Sequence, residues 1–288
     1  MASARIGVIG GSGLYQMEGL TDVEEVRVAT PFGDPSDSIF VGNLHGQSMA
    51  FLPRHGRGHR ISPSELNSRA NIYALKSLGV ESIISVSAVG SMREDIHPLD
   101  IVLPDQIIDR TRSRVSTFFG DGIVVHIGFA EPFCPRLSEV LYQAAQRLSP
   151  APRVHRGGTY LCIEGPQFST KAESRLYRQW GVDVIGMTAI PEAKLAREAE
   201  MCYAQLALVT DYDVWHETEG PVSADLIVAN LQRNVHTASA ILAKAVQAIG
   251  EERTCGCGDA LKTAIITAPN YIPAQKREQL ALLIGKYL

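Results

Sequence analysis

The chain has 288 residues, 45% of them hydrophobic, and a net charge of −4 with no basic block. That is enough apolar material for a large α/β core, and the charge balance excludes duplex nucleic acid as an expected partner. No apolar stretch reaches the roughly 18 residues needed to cross a bilayer, and the opening MASARIGVIGG lacks the long apolar run of a secretion signal, so a cytoplasmic protein with no membrane partner is expected.

Residues 5–9 read as a buried first strand running into the tight turn Gly10-Gly11-Ser12-Gly13. Residues 38–44 and 48–53 read as further strands. Ser62-Pro63-Ser64-Glu65 has the pattern of a helix start, with Ser at the cap, Pro at the first helical position and Glu three residues on; that helix should end before Gly79. A strand over 82–87 enters the small-residue turn Ala88-Val89-Gly90-Ser91, and 100–103 is a short strand. Helical periodicity marks 136–148. A strand over 160–163, a helix over 171–180, a strand over 182–185 and a helix over 191–201 follow. The run Ala204-Gln205-Leu206-Ala207-Leu208-Val209 is a buried strand ending at Thr210-Asp211-Tyr212-Asp213. Residues 223–249 are a long helical stretch, 250–258 a linker, and two short helical pieces complete the chain. Strands alternating with helices predict a single α/β domain over 1–288, with a mixed central β-sheet flanked by helices. The segment after the linker is too short for a domain and should pack as a tail on the same core or on a neighbouring subunit.

The chemistry concentrates at strand ends. Side chains alternate along a strand, so Asp211 and Asp213 should face the same way. Two acids at the end of a buried strand are unfavourable unless something uses them. A purine could, with one acid at a ring nitrogen and the other accepting from an exocyclic amino group. The competing reading is a turn-forming or helix-capping pair. The Gly10–Gly13 turn suits an anion, its N–H groups converging with the Ser12 hydroxyl. It is not a dinucleotide fingerprint, because Gln16 stands where the third glycine belongs. Arg54-His55-Gly56-Arg57-Gly58-His59-Arg60 follows a strand, and a guanidinium there fits phosphate bidentately; the alternative is a solvated basic loop. Ligands of α/β sheets sit outside the carboxyl ends of strands, where Ser12, Arg54, Ser87 and Asp211 would all lie.

Five cysteines, at 134, 162, 202, 255 and 257, are no secreted disulfide framework. Cys255-Gly-Cys257 has no second Cys or His pair at zinc-finger spacing, so the spacing predicts no structural metal. A disulfide between Cys255 and Cys257, another between Cys134 and Cys202, and reduced thiols all stay open.

Taken in order, IGVIGGSGL (6–14), TPFGDPSD (30–37), RHGRGH (54–59), SAVGSMRED (87–95), DQIIDRT (105–111), AEPFCP (130–135), IEGPQFST (163–170), MTAIPEAKLAREA (187–199) and TDYDVW (210–215) resemble the trimeric class of purine nucleoside phosphorylases, and within it the 5′-methylthioadenosine phosphorylases. The similarity runs from residue 5 to about 249. It implies a phosphate site at Ser12, Arg54, His55, Ser87 and Thr188, beside Ala88. Ser12 and Ser87 stand where relatives often carry Thr, and the hydroxyl is kept. It implies that Phe168 packs on the base, that Met187 lies under the ribose, and that Asp211 and Asp213 read the purine. It places Ala224 and Ile227 around the 5′-substituent, and His126 in a neighbouring subunit's pocket. Small apolar residues there suit a methylthio group.

The activity implied is phosphorolysis of 5′-methylthioadenosine, with Asp211 as the acid at purine N7 and inorganic phosphate as co-substrate and nucleophile. No metal or organic cofactor is expected. The partners are the nucleoside, phosphate and further copies of the chain, as a trimer or a pair of trimers. A phosphorylase of 6-oxopurine nucleosides is the first alternative, though those enzymes usually carry Asn where Asp211 stands. A hydrolytic nucleosidase and a non-catalytic nucleoside-binding protein are the others.

Overall fold

The computed structural model describes residues 2–11, 14, 17–216, 224–250 and 253–288, the side chains of 224–228 excepted. Within them eleven strands form one mixed sheet. They are β1 (Ile6–Gly10), β2 (Leu20–Val26), β3 (Ile39–Leu44), β4 (Gln47–Pro53), β5 (Ser82–Ser91), β6 (Ile101–Leu103), β7 (Gln106–Arg110), β8 (Val154–Arg156), β9 (Thr159–Ile163), β10 (Val184–Gly186) and β11 (Cys202–Asp211). The helices are α1 (Ser68–Ser77), α2 (Pro135–Gln146), α3 (Lys171–Gln179), α4 (Ala189–Glu198), α5 (Ala224–Ala248), α6 (Ala274–Gln279) and α7 (Ala281–Ile284).

The sheet is organised on β5. Its first half runs parallel to both β1 and β11, with Ser82 opposite Ile6 on one edge and Cys202 on the other. Its end pairs antiparallel with β10, and β4 runs parallel to β1. The period-two alternation of strand side chains sends neighbours to opposite cores. Ile9 and Ile83 share a core with α1, α4 and α7, whereas Val8 and Ile84 share one with α2 and α5. Covered on both faces, these strands are nearly continuous apolar runs. Among the described residues, no helix is long and apolar enough to cross a membrane.

Two sequence expectations change, and a third narrows. Ser62 and Glu65 do bond each other (Ser62 N–H to Glu65 Oε2, 3.1 Å), but they close only a 3₁₀ turn over Pro63–Glu65. The chain extends again at Leu66, and α1 begins afresh at Ser68, capped by the Asn67 side chain accepting from the Ala70 N–H. Strands β2 and β7 escape a periodicity reading because they are largely exposed and mostly polar. At the end of the 250–258 stretch Cys257 is buried, and of the two places open to the tail the chain beyond it takes this protomer's own core, through Leu280, Leu283 and Ile284. Each such burial stabilises by about 1.5–3 kcal/mol.

Candidate active site

The carboxyl ends of β1, β4, β5 and β11 converge on a cavity of about 580 Å³. Arg54, His55, Ser87, Ala88, Phe168, Met187, Thr188, Asp211 and Asp213 all line it. Ser12 and the side chains of Ala224 and Ile227 lie outside the described residues. His126 does not join them. It is exposed, on a segment whose Val125 bridges to Ile265 and whose own N–H donates to the Ala264 carbonyl at 2.9 Å.

Arg54 corrects one expectation. Its two-pronged grip is spent on Glu192, with Nε to Oε1 at 2.5 Å and Nη2 to Oε2 at 3.2 Å. Nη2 also donates to Ser85 Oγ (2.7 Å) and the Ile9 carbonyl (3.1 Å), and Nη1 to the Val86 carbonyl (2.9 Å). Both partners are 2% exposed, and a charge so deeply buried requires a permanent counter-ion. Burial alone would lower the Arg54 pKa, but the Glu192 charge and hydrogen bonds hold it above its ordinary value. One N–H of Nη1 has no partner among the described residues, so Arg54 offers the cavity its field and a single donor.

Around it, His55 Nδ1 lies 2.8 Å from the Ile61 carbonyl, which only accepts, so the hydrogen sits on Nδ1. Burial, then the Arg54 charge, push its pKa down to about 4. The ring is therefore neutral near pH 7, with Nε2 an acceptor. Ser87 Oγ accepts from Gln205 Nε2 at 2.6 Å and keeps its own hydrogen to give. Thr188 Oγ1 is buried without a partner. In the basic loop, His59 stacks on His55 and lines the cavity with Arg60, whereas Arg57 turns away to pair with Asp37 and Glu25.

At the other end stand the two acids, though not through strand alternation. A bulge interrupts the β11 register between Val209 and Asp211, and Asp213 lies in the following turn at φ +51°, a conformation Asp tolerates. The turn closes through the Asp213 N–H donating to Asp211 Oδ1 at 2.8 Å, while Thr210 Oγ1 donates to Oδ2 at 2.7 Å. Burial raises the pKa of both acids; the Asp213 charge adds to the effect on Asp211, and these two hydrogen bonds oppose it. Asp213 Oδ2 is buried and has no hydrogen-bond partner among the described residues. Gly90 makes room, since a Cβ there would stand 2.9 Å from Asp211 Oδ1.

Sequence reasoning missed the supports. Besides Glu192 there is Arg114, nearly buried, which donates to the carbonyls of Met187 and Ile190 (2.6 Å each) and Glu164 (2.6 Å). It fastens the Phe168 segment to the Met187 segment. On α5, Asn230 and Asn234 donate to the Thr210 and Val209 carbonyls (2.7 and 2.9 Å), holding the end of β11. Their i, i+4 spacing on an otherwise apolar face was the available signal.

A sequence model of the phosphorylase superfamily matches residues 5–247. The chain belongs to the phosphorylase superfamily. It is 61% identical over 284 residues to the S-methyl-5′-thioadenosine phosphorylase of Geobacter sulfurreducens, covering 98% of this chain and 99% of that one. Identity to the corresponding Koribacter versatilis protein is 58%, over 99% and 97%. A crystal structure of a methylthioadenosine phosphorylase from an antarctic soil metagenomic library superposes with a TM-score of 0.94 at 52% identity, over 98% and 99% of the two chains. A mutant adenosine/methylthioadenosine phosphorylase from Schistosoma mansoni, in complex with methylthioadenosine, gives 0.81 at 38% identity, over 90% and 96%. The phosphorylase fold thus extends through the C-terminal segment, beyond the residues the superfamily model covers.

Proposed function

We propose that this phosphorylase cleaves 5′-methylthioadenosine with inorganic phosphate, giving adenine and 5-methylthioribose 1-phosphate. The observation that carries the reading is the polarity of one cavity: a fixed cation with unspent hydroxyls at one end, and two buried carboxyls of raised pKa at the other.

Phosphate takes the hydroxyls of Ser87 and Thr188, the free Arg54 N–H and the Ser12 turn. The neutral His55 accepts the P–OH hydrogen of a protonated phosphate. The glycosidic C–N bond lengthens into an oxocarbenium-like state, and the phosphate oxygen closes on the anomeric carbon. Asp211 delivers its proton to purine N7, and Asp213 accepts from the 6-amino group through Oδ2, which has no hydrogen-bond partner among the described residues. Proton delivery of this kind contributes about 10²–10⁴-fold; the rest comes from position and field. No protein nucleophile, metal or organic cofactor is needed. Phe168 stacks on the base and Met187 lies under the ribose. Leu231 and Val235 give the 5′-methylthio group an apolar wall.

The enzyme works in the cytoplasm as a homotrimer, in which exposed His126 and half-exposed Phe168 gain neighbours; light scattering on the purified protein tests the assembly. The reaction is tested by following adenine and sugar phosphate from methylthioadenosine, adenosine and inosine, with and without phosphate. Strict phosphate dependence and a methylthioadenosine preference are expected. A clear inosine preference would transfer the reading to 6-oxopurines, and adenine release undiminished without phosphate would make the enzyme a hydrolase.

A further inference from the structure

The thiols carry an observation that the active site does not absorb. Cys134 caps the start of α2, Cys202 opens β11, and Cys255 and Cys257 flank a turn far along the chain. Their four Sγ atoms all lie within 4.8 Å of one another, with Cys202 and Cys255 at 3.3 Å. No sequence spacing announces this, because three separate elements supply the sulfurs.

We propose that Cys134, Cys202, Cys255 and Cys257 form a tetrathiolate site for one tetrahedral zinc ion, which locks the C-terminal segment to the sheet. Zinc–sulfur bonds of about 2.3 Å imply a sulfur–sulfur edge of roughly 3.8 Å, so the cluster closes on an ion with shifts of about half an ångström per sulfur. Disulfides would draw the sulfurs into two pairs, whereas here all four lie within 4.8 Å of one another. Three of the four residues are buried, and Cys134, Cys202 and Cys257 belong to the same apolar cluster, which would shield the ion from water. The surroundings suit the anionic charge of a zinc tetrathiolate. Cys134 sits at the N-cap of α2, at the positive end of that helix, and the Arg253 guanidinium lies against Gly258. Cys162 is the contrast: a lone buried thiol in another cluster, packed as a small hydrophobe. Binding is acid–base chemistry only. Each ligating thiol passes its proton to solvent as its sulfur bonds the metal, and nothing is oxidised or reduced.

Cys202 and Asp211 are the first and last residues of β11, which places the metal about 30 Å from the carboxyl pair. Its role is structural. It pins a segment that buries Leu261, Ala264, Ile272, Leu280, Leu283 and Ile284.

The test is elemental analysis of full-length protein purified anaerobically under reduction from zinc-supplemented culture, with cobalt(II) exchange as a second measurement. Expected are about one zinc per chain, its release by a mercurial in step with thiol modification, and a cobalt spectrum with thiolate charge-transfer and tetrahedral d–d bands. Cys255→Ser with Cys257→Ser should abolish metal and bands, while Cys162→Ser retains both. Chelation should lower Tm and leave kcat unchanged. Should the double variant fail to fold, the wild-type metal content and cobalt spectrum still decide. Metal-free wild-type protein, four sulfurs found as two disulfides, or a cobalt spectrum unchanged in the double variant would each overturn the proposal.

Discussion

At one end of the cavity Arg54 keeps a permanent charge buried by giving its fork to Glu192; at the other, Asp211 and Asp213 are buried with no described cation in ion-pairing distance. Arginine cannot discharge, so a dry site must carry its counter-ion with it. A carboxyl can discharge, and burial alone then makes it retain a proton. The Arg54 end thereby keeps its charge at any ordinary pH, whereas burial shifts the acid end toward the neutral form. Among the described residues, both ends keep buried oxygens without a partner, Thr188 Oγ1 at one and Asp213 Oδ2 at the other.

Breaking the fixed pair should have the largest effect. Glu192→Ala strands the Arg54 charge and removes the acceptor of Ser85 and Tyr203, so urea unfolding should show a loss of about 3–5 kcal/mol. Thr188→Val sharpens the comparison, because it removes a hydroxyl the free protein does not use. Stability should hold or rise, while phosphate KM rises by the roughly 1.5–3 kcal/mol of a hydrogen bond to a charged group; unchanged KM would remove Thr188 from the phosphate site. Asp213→Asn keeps the left-handed turn and discards the burial penalty on charge. The raised carboxyl pKa gives stability that is complete below the unfolded value and is lost as pH rises through the folded one. The variant should therefore be more stable than wild type at neutral pH in urea unfolding, and the gain should vanish in acid. Smallest, the His55 ring should titrate by NMR at about 4, and a midpoint near 6.5 would break the assigned tautomer and its acceptor role.

Much of this was legible in the chain because it is local. The buried strands, the turns at their ends and the cavity residues sit in short contiguous blocks. The reason for the acid pair was misread, since a bulge and a left-handed residue, not alternation, bring Asp213 beside Asp211. Glu192 and Arg114 were invisible as supports because each acts across a long sequence separation on charge or backbone elsewhere, whereas Asn230 and Asn234 showed only their spacing and not the carbonyls they hold. The thiol cluster escaped for the same reason. Cys134 and Cys202 meet Cys255 and Cys257 only once α2, β11 and the final segment have packed.

The measurement that bears most directly on the division of labour is steady-state kinetics of Asp211→Asn with methylthioadenosine and varied phosphate. A lost proton donor should lower kcat by about 10²–10⁴-fold, with phosphate KM within about twofold of wild type and Tm little changed, because the anion end is built independently. Turnover near wild type, or a phosphate KM that rises as kcat falls, would contradict the account.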